Sequence, residues 1–392
     1  MNNLTCVHAT NGIRVTNDGT AMLCCMSKEP LTDKEGNIAS VALTPLDNIL
    51  NGKKAIEIRR DLDAGIQHPN CQRCWDEEVV GVASKRIRDN DNYQFVDNSL
   101  KIAELNLGTA CNLKCRTCSP WASSQWNKEF LLVTDHAPPK DEYDKMLYNL
   151  NHSYDDDSIF WESFKDKLSS VEQIDMYGGE PFMIKKQWEL LQYSIDRGYS
   201  RNQTLHFNTN GTYFDYNKIE ILKHFKQIDI SVSIDGIGPQ FEYQRHPAKW
   251  ALLIENLKKF KECSEEYNWF LSACVTVTNH NIFNLDQILL YLHNFGVNSY
   301  ANLLHDPVYY NIKNLRSDIK EELTKKYLTL DTTPDIRYWL EKVVSFMNSK
   351  ETDHTQWLEF LKIVSKIDNL RNEEFKLAFP DYYNRIVYNK SI

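Results

Sequence analysis

Residues 103–118 decide the reading. A strand-like run, Ala103-Glu104-Leu105-Asn106-Leu107, passes through Gly108-Thr109-Ala110 into Cys111-Asn112-Leu113-Lys114-Cys115-Arg116-Thr117-Cys118. Three thiols on one short loop after a strand suit a metal better than disulfides. Closed zinc and iron–sulfur sites take four protein ligands, so three from one loop leave a coordination position open, as a catalytic metal requires. On spacing alone, a structural zinc loop with a distant fourth ligand is the competing reading.

Downstream, strand-like runs recur at Gln173–Tyr177, Leu205–Asn208, Ile228–Ile234, Leu271–Thr278 and Ser299–Leu304. Helix-like stretches such as Lys186–Ile195, Ala248–Lys261 and Leu285–His293 separate them. Six strands with helical crossovers specify an α/β fold with a parallel sheet, open or curled into a partial barrel. Beyond about residue 314 the chain reads as helices, broken near Asp331–Pro334 and at Pro380. The connection from Ser119 to Ser170 is long for two neighbouring strands and is a candidate cover for the barrel mouth.

Polar groups gather at the ends of these strands, where α/β folds place ligands. Tyr177-Gly178-Gly179-Glu180-Pro181 combines backbone that a ligand can approach closely with a carboxylate for an amine. A plain strand-to-helix turn explains the same residues. Asn208-Thr209-Asn210-Gly211 offers amides and a hydroxyl suited to ribose hydroxyls, or simply an Asn-Gly turn. Ser233 and Asp235 bring small polar groups to the same mouth.

Upstream lie Cys6, Cys24, Cys25, Cys71 and Cys74. Gly12–Thr16 and Thr20–Cys24 read as a hairpin around Asn17-Asp18-Gly19. Residues 46–64 read as a helix stopped by Gly65, and Asp89–Ser99 as a polar linker. The hairpin can bring Cys6 and Cys24 to one end, where Cys71 and Cys74 complete a four-thiolate site. Cys25 points to the opposite face of the strand from Cys24, so only one of the two binds. By ligand type, zinc and iron–sulfur fit this set equally. Cys263 and Cys274 read as small apolar core groups.

With 45 Lys+Arg against 54 Asp+Glu, the net charge of −9 argues against a broad nucleic-acid surface. No apolar run reaches the length of a bilayer span, and the first residues lack a signal pattern, so a cytoplasmic location is expected. In that reducing setting the ten cysteines point to metal or catalysis. The histidines form no H-x3-H or HExxH pair, so a conventional zinc hydrolase has no support.

The cysteine loop and the ordered motifs behind it, across roughly residues 100–307, resemble the radical S-adenosylmethionine (SAM) enzymes, whose fold is a partial (β/α)6 TIM-like barrel. The resemblance implies a [4Fe–4S] cluster on Cys111, Cys115 and Cys118, with SAM chelated at the unique iron. It implies Gly178, Gly179 and Glu180 at the methionyl amine, and Asn208, Asn210, Ser233 and Asp235 near the carboxylate or ribose. Many members place an aromatic residue against the adenine where this chain has Thr117, and Trp121 is a candidate substitute. Arg245 and His246 are candidates for substrate or SAM carboxylate contact, or for a surface loop.

The N-terminal set, Cys6, Cys24, Cys71 and Cys74, is similar to half of the SPASM/twitch pattern, here ahead of the barrel. This implies one auxiliary [4Fe–4S] cluster, with zinc as the alternative. The domain reading is 1–98 for a twitch-like Cys-rich hairpin and helix unit, 99–313 for the barrel and 314–392 for a helical extension. The implied function is reductive SAM cleavage followed by hydrogen abstraction, giving a net oxidation or a peptide or protein modification. An electron donor such as flavodoxin or ferredoxin is implied as partner, and the substrate is an unknown peptide or small molecule. The alternatives are oxidation of a small alcohol, sugar or nucleotide, and a non-catalytic metal-binding interaction protein.

Overall fold

The computed structural model describes residues 4–93, 97–135 and 138–388. Its centre is one eight-stranded sheet in the order β2-β1-β3-β4-β5-β6-β7-β8. The strands are β1 Gly12–Val15, β2 Ala21–Met22, β3 Ile102–Asn106, β4 Gln173–Tyr177, β5 Thr204–Thr209, β6 Gln227–Ser233, β7 Phe270–Val277 and β8 Asn298–Leu303. β3 to β8 pair in parallel, each with its sequence neighbour, and are the six strands the sequence predicts.

Alternation decides what each face does. Ile174, Met176, Leu205, Phe207, Ile228 and Ile230 are buried against the crossover helices. Phe207, for example, lies 6.0 Å from the near-parallel ring of Trp188 and 5.4 Å from Phe182. The opposite face carries Asp175, His206, Asp229, Ser272 and Tyr300, which together line one cavity. One face of successive strands can enclose a common cavity only if the sheet is curled, and a polar lumen inside an apolar outer shell is the expected partial barrel.

The predicted hairpin forms, with Arg14 opposite Met22 and Val15 opposite Ala21, but its second strand ends at Met22, short of the expected Cys24. It does not make a sheet of its own: β1 runs parallel to β3, Gly12 beside Ile102 through Val15 beside Leu105. The single helix expected over 46–64 is two, Leu46–Leu50 and Lys53–Asp63. The break falls at Gly52, where a Cβ would sit 1.7 Å from the Thr32 carbonyl oxygen. The expected linker is also corrected, because the helix Lys85–Asn92 occupies its first part; residues 94–96 lie outside the described residues. In the extension, the breaks near 331–334 and 380 are present, and a further one separates Pro334–Met347 from His354–Arg371. There the Asp353 carboxylate accepts from the Thr355 and Gln356 amides and caps the new helix. No helix among the described residues is long and apolar enough to cross a membrane.

Candidate functional site

The cysteine loop leaves the C-terminal end of β3 and is fixed along its length. Lys114 N donates to His246 O and Arg116 N to Gln244 O, both at 2.8 Å, so the loop adds to the segment after β6 almost as a strand would. Trp126 Nε1 donates to Cys115 O at 2.9 Å, and Ser123 Oγ to Leu113 O at 2.5 Å. The Cys115 and Cys118 thiols hydrogen-bond each other. Burial pushes the Cys111 thiol up to about 11, and the bond to Cys115 together with burial pushes Cys118 well up. The same bond lowers Cys115 against its burial, and three sulfurs held this close form a ready donor set: a metal cation is what allows all of them to ionise together.

The glycines after β4 have a packing reason to be there. Gly178 sits at φ +121°, and a Cβ on it would lie 2.7 Å from Gly108 O; on Gly179 it would lie 2.3 Å from Ala110 O. Backbone contact replaces those side chains, with Gly179 N donating to Gly108 O at 3.1 Å and Glu180 N to Ala110 O at 2.8 Å. Glu180 is fully buried. Its carboxylate accepts from Phe182 N at 3.2 Å, Thr209 Oγ1 at 2.7 Å and Asn210 N at 2.7 Å. It therefore ties the loop after β4 to the loop after β5, and both its oxygens are engaged in doing so. Burial raises its pKa against the pull of those donors.

Asn210 reaches the cysteine loop: Nδ2 donates to Asn112 Oδ1 at 2.9 Å and lies 3.8 Å from Cys111 Sγ. Asp235 is buried and pairs with Arg245 at 2.6 Å, while its other oxygen accepts from Thr276 N at 2.8 Å. Arg245 in turn sits close enough to Cys115 and Cys118 to feel their charge, which places it at the mouth rather than on a surface loop. Asn208 is set apart, lining the lumen below. Ser233 ends β6 half-buried, in register with Cys274. Thr117 is half-buried on the loop, and Trp121 is 44% exposed, edge-on to Phe130.

Two supports could not be read locally. At the hairpin tip, Asn17 Oδ1 accepts from Gly108 N at 3.2 Å and its Nδ2 donates to Trp121 O, so β1–β2 brackets the cysteine loop. From the other side, Arg116 between the second and third cysteines is fully buried. Its Nη2 lies 2.5 Å from both Asp368 Oδ1 and Glu373 Oε2, and its guanidinium carbon is 3.5 Å from the Tyr243 ring centre. Glu373 also pairs with His246 at 2.6 Å. Arg371 bonds Glu129, which pairs with Lys114, and covers Trp126 at 4.7 Å. The extension thus clamps the loop. Polar spacing along 368–373 was the available signal, without an address.

Cys6, Cys24, Cys71 and Cys74 line one pocket. Asn70 assembles it by accepting from Lys28 N at 2.8 Å and Glu29 N at 2.6 Å, which brings the 69–74 segment to the end of the hairpin. Burial raises the thiols of Cys6 and Cys24 and pushes Cys71 to about 12 and Cys74 to about 11. Four such sulfurs in one pocket fit an iron–sulfur cluster or zinc by donor chemistry. Cys25 faces the other way and lines the lumen, as does Cys274, which the sequence reading placed in apolar packing. A separate Glu57–Asp61–His68 group lies in reach of one ion. However, His68 Nδ1 accepts from Asn70 N at 3.0 Å, so Nε2 carries the proton and points toward Glu57 at 3.4 Å as a donor.

Two family models match the chain: one described as the radical SAM superfamily over residues 105–288, and one described as an iron–sulfur cluster-binding domain, SPASM, over residues 6–75. A comparison with curated proteins finds no match. Among solved structures, native anSMEcpe with bound AdoMet is 17% identical, with 64% of this chain and 63% of that chain covered and a TM-score of 0.40. Streptococcus suis SuiB bound to S-adenosylmethionine is 16% identical, with 71% and 58% covered and a TM-score of 0.34. A radical SAM methyltransferase from Sphaerobacter thermophilus is 10% identical, with 64% of each chain covered and a TM-score of 0.32. The chain spans about three fifths of the length of these structures, and likenesses of this size stand as similarity alone. The two family matches bracket the two cysteine sets, and the chain belongs to the radical SAM superfamily, with a SPASM iron–sulfur domain on the N-terminal side of its barrel.

Proposed function

We propose that this chain uses SAM and a [4Fe–4S] cluster to modify a substrate admitted to the barrel lumen by hydrogen abstraction. Three convergent thiols on a braced loop at the C-terminal end of β3 carry this reading, together with a polar cavity of about 540 Å³ whose wall reaches Tyr177 and Asn208 at the same ends of β4 and β5. Cavities of this size hold a small molecule or an inserted side chain. When bound, the cluster and SAM together supply a 5′-deoxyadenosyl radical.

Every other task falls to the chain. Cys111, Cys115 and Cys118 hold three irons, and the exposed backbone of Gly178 and Gly179 receives the methionyl amine. Glu180 keeps those glycines in register with Asn210, and Asp235 with Arg245 frames the carboxylate side. Ser233 stands toward the ribose, Asn208, set apart in the lumen, faces the substrate side instead, and Thr117 leaves adenine packing to a residue beyond the loop. Cys6, Cys24, Cys71 and Cys74 hold one fully ligated auxiliary cluster, whose lack of an open iron favours a redox role over direct substrate ligation. The net reaction is then an oxidation or a peptide modification, with a small flavoprotein or ferredoxin-type donor as electron source.

The test is direct. Anaerobically purified protein should be brown and release 5′-deoxyadenosine with dithionite and SAM, and a C111A, C115A, C118A variant should do neither at that site. Colourless protein with stoichiometric zinc at the three-cysteine loop would overturn the reading.

A further inference from the structure

The lumen is not neutral ground. Register places Glu104 beside Asp175, Asp175 beside His206 and His206 beside Asp229, so four adjacent strands present one level of ionisable side chains to the barrel interior. Glu77 and Asp89 face the same cavity from the N-terminal unit. Burial pushes Glu77 up to about 7 and leaves it partly protonated near neutrality, so among the described residues the four other carboxylates stand against three permanent cations: Lys85 and Arg88 on the cavity wall and Arg14 opposite Glu104. Lys85 is shared among Asp89 at 3.1 Å, Glu104 at 3.3 Å and Asp175 at 3.7 Å. Of the two histidines, His206 is held to Asp229 at 2.8 Å, and His8 lies between Asp89 at 2.6 Å and Glu104 at 3.8 Å.

A second observation is independent of charge. Asn106 is 8% exposed, and its Oδ1 has no hydrogen-bond partner among the described residues; the same is true of the buried Oδ1 of Asn208. Asn106 pairs in register with Tyr177 at the end of β4, and Asn208 lines the cavity. Buried acceptors without donors are costly unless something that enters the cavity supplies N–H or O–H groups. Tyr177, Tyr300 and Trp339 add aromatic faces to the same wall. An ammonium group has three donors and no acceptor, is attracted to excess carboxylate, and sits well against aromatic rings.

We propose that the lumen selects a substrate whose inserted arm carries an ammonium group, received between Asp175 and Asp229 with Asn106 and Asn208 as further acceptors. This rests on the lumen being the substrate site of the radical SAM reaction. The ammonium can come from a lysine-type side chain or from an amino sugar, and the two are told apart by experiment.

Reconstituted holoprotein is titrated calorimetrically, under anaerobic conditions, with four probes: N-acetyl-lysine methylamide, glucosamine, N-acetyl-norleucine methylamide and N-acetyl-glutamate methylamide. At least one ammonium probe should bind about tenfold more tightly than the norleucine probe, which has the same stem without the charge, and the glutamate probe should bind no better than norleucine. A lead for the lysine probe identifies a side-chain source, and a lead for glucosamine identifies a sugar. In a D175N/D229N variant with wild-type iron content and circular dichroism, that preference should disappear. Equal binding of the norleucine or glutamate probe to the wild type, or a preference retained in the double variant, overturns the proposal. Should the variant not fold, the wild-type comparison among the four probes decides by itself. Release of 5′-deoxyadenosine is scored separately: SAM cleavage without charge preference sinks this proposal alone, whereas charge preference without SAM cleavage sinks the functional reading.

Discussion

Replacing Arg116 with Met should loosen the cysteine loop by an amount the structure lets one work out. The Arg116 side chain is 0% exposed, and its partners Asp368 and Glu373 are 16% and 19% exposed. Removing one side of a buried ion pair costs about 3–5 kcal/mol because the partner charges are left behind. The two carboxylates keep some solvent, which points to the lower end, about 3 kcal/mol, or roughly a hundredfold in the balance between closed and open loop. The reporters are the amides of Lys114 and Arg116, whose acceptors are His246 O and Gln244 O. In R116M their hydrogen exchange should accelerate about a hundredfold, and iron release to a chelator should accelerate with it. R116M/D368N/E373Q, which removes the stranded charges as well, should recover most of the loss. Exchange within about twofold of wild type in R116M would refute the clamp, since no route from the extension to the loop would then carry energy.

Other outcomes follow from neighbouring features. C24A should lose roughly half of the chain's iron while C25A keeps it, because only Cys24 faces the four-thiol pocket; iron and sulfide analysis checks this. G179A places a methyl 2.3 Å from Ala110 O and should cost about 1–3 kcal/mol, read as a lowered thermal midpoint with impaired 5′-deoxyadenosine release. Burial pushes Glu77 from 4.5 up to about 7, so the folded state holds this proton more tightly than the unfolded one. Stability from this group is complete below about pH 4.5 and is lost as pH rises toward 7. Denaturant midpoints across that window should fall in the wild type and flatten in E77Q.

The strands β3 to β8 were legible because alternation of apolar outward residues with polar inward ones is a local pattern, and it held within one or two residues of each end. The helix break at Gly52 was not, because its cause is Thr32 O, twenty residues away and brought near only by the folded hairpin unit. Cys274 looked like core because Val275, Val277 and Ala273 around it are; its own side of β7 carries polar Ser272 and lies beside Tyr300 of β8 on the lumen wall. The split between Cys24 and Cys25 was anticipated, but not its cause: β2 ends at Met22, and the two cysteines part in the bend and turn that follow it. The role of Glu180 was half visible: a carboxylate after two glycines announces a site, but only the structure shows it engaged by Thr209 and Asn210.

The clamp also has a bearing on how the chain is made. Asp368 and Glu373 lie 252 and 257 residues beyond Arg116. At synthesis rates of about 5–20 residues per second, they emerge roughly ten to fifty seconds after the cysteines they help to enclose. The hairpin arrives before the loop and can bracket it at once, whereas the second brace comes last. During that interval the three thiols stand in an unfinished mouth, open to metal and to oxidant alike. Closure of this mouth therefore waits on residues more than 250 positions further along the chain, and a chain whose synthesis stops in between would hold its cysteine loop without that brace.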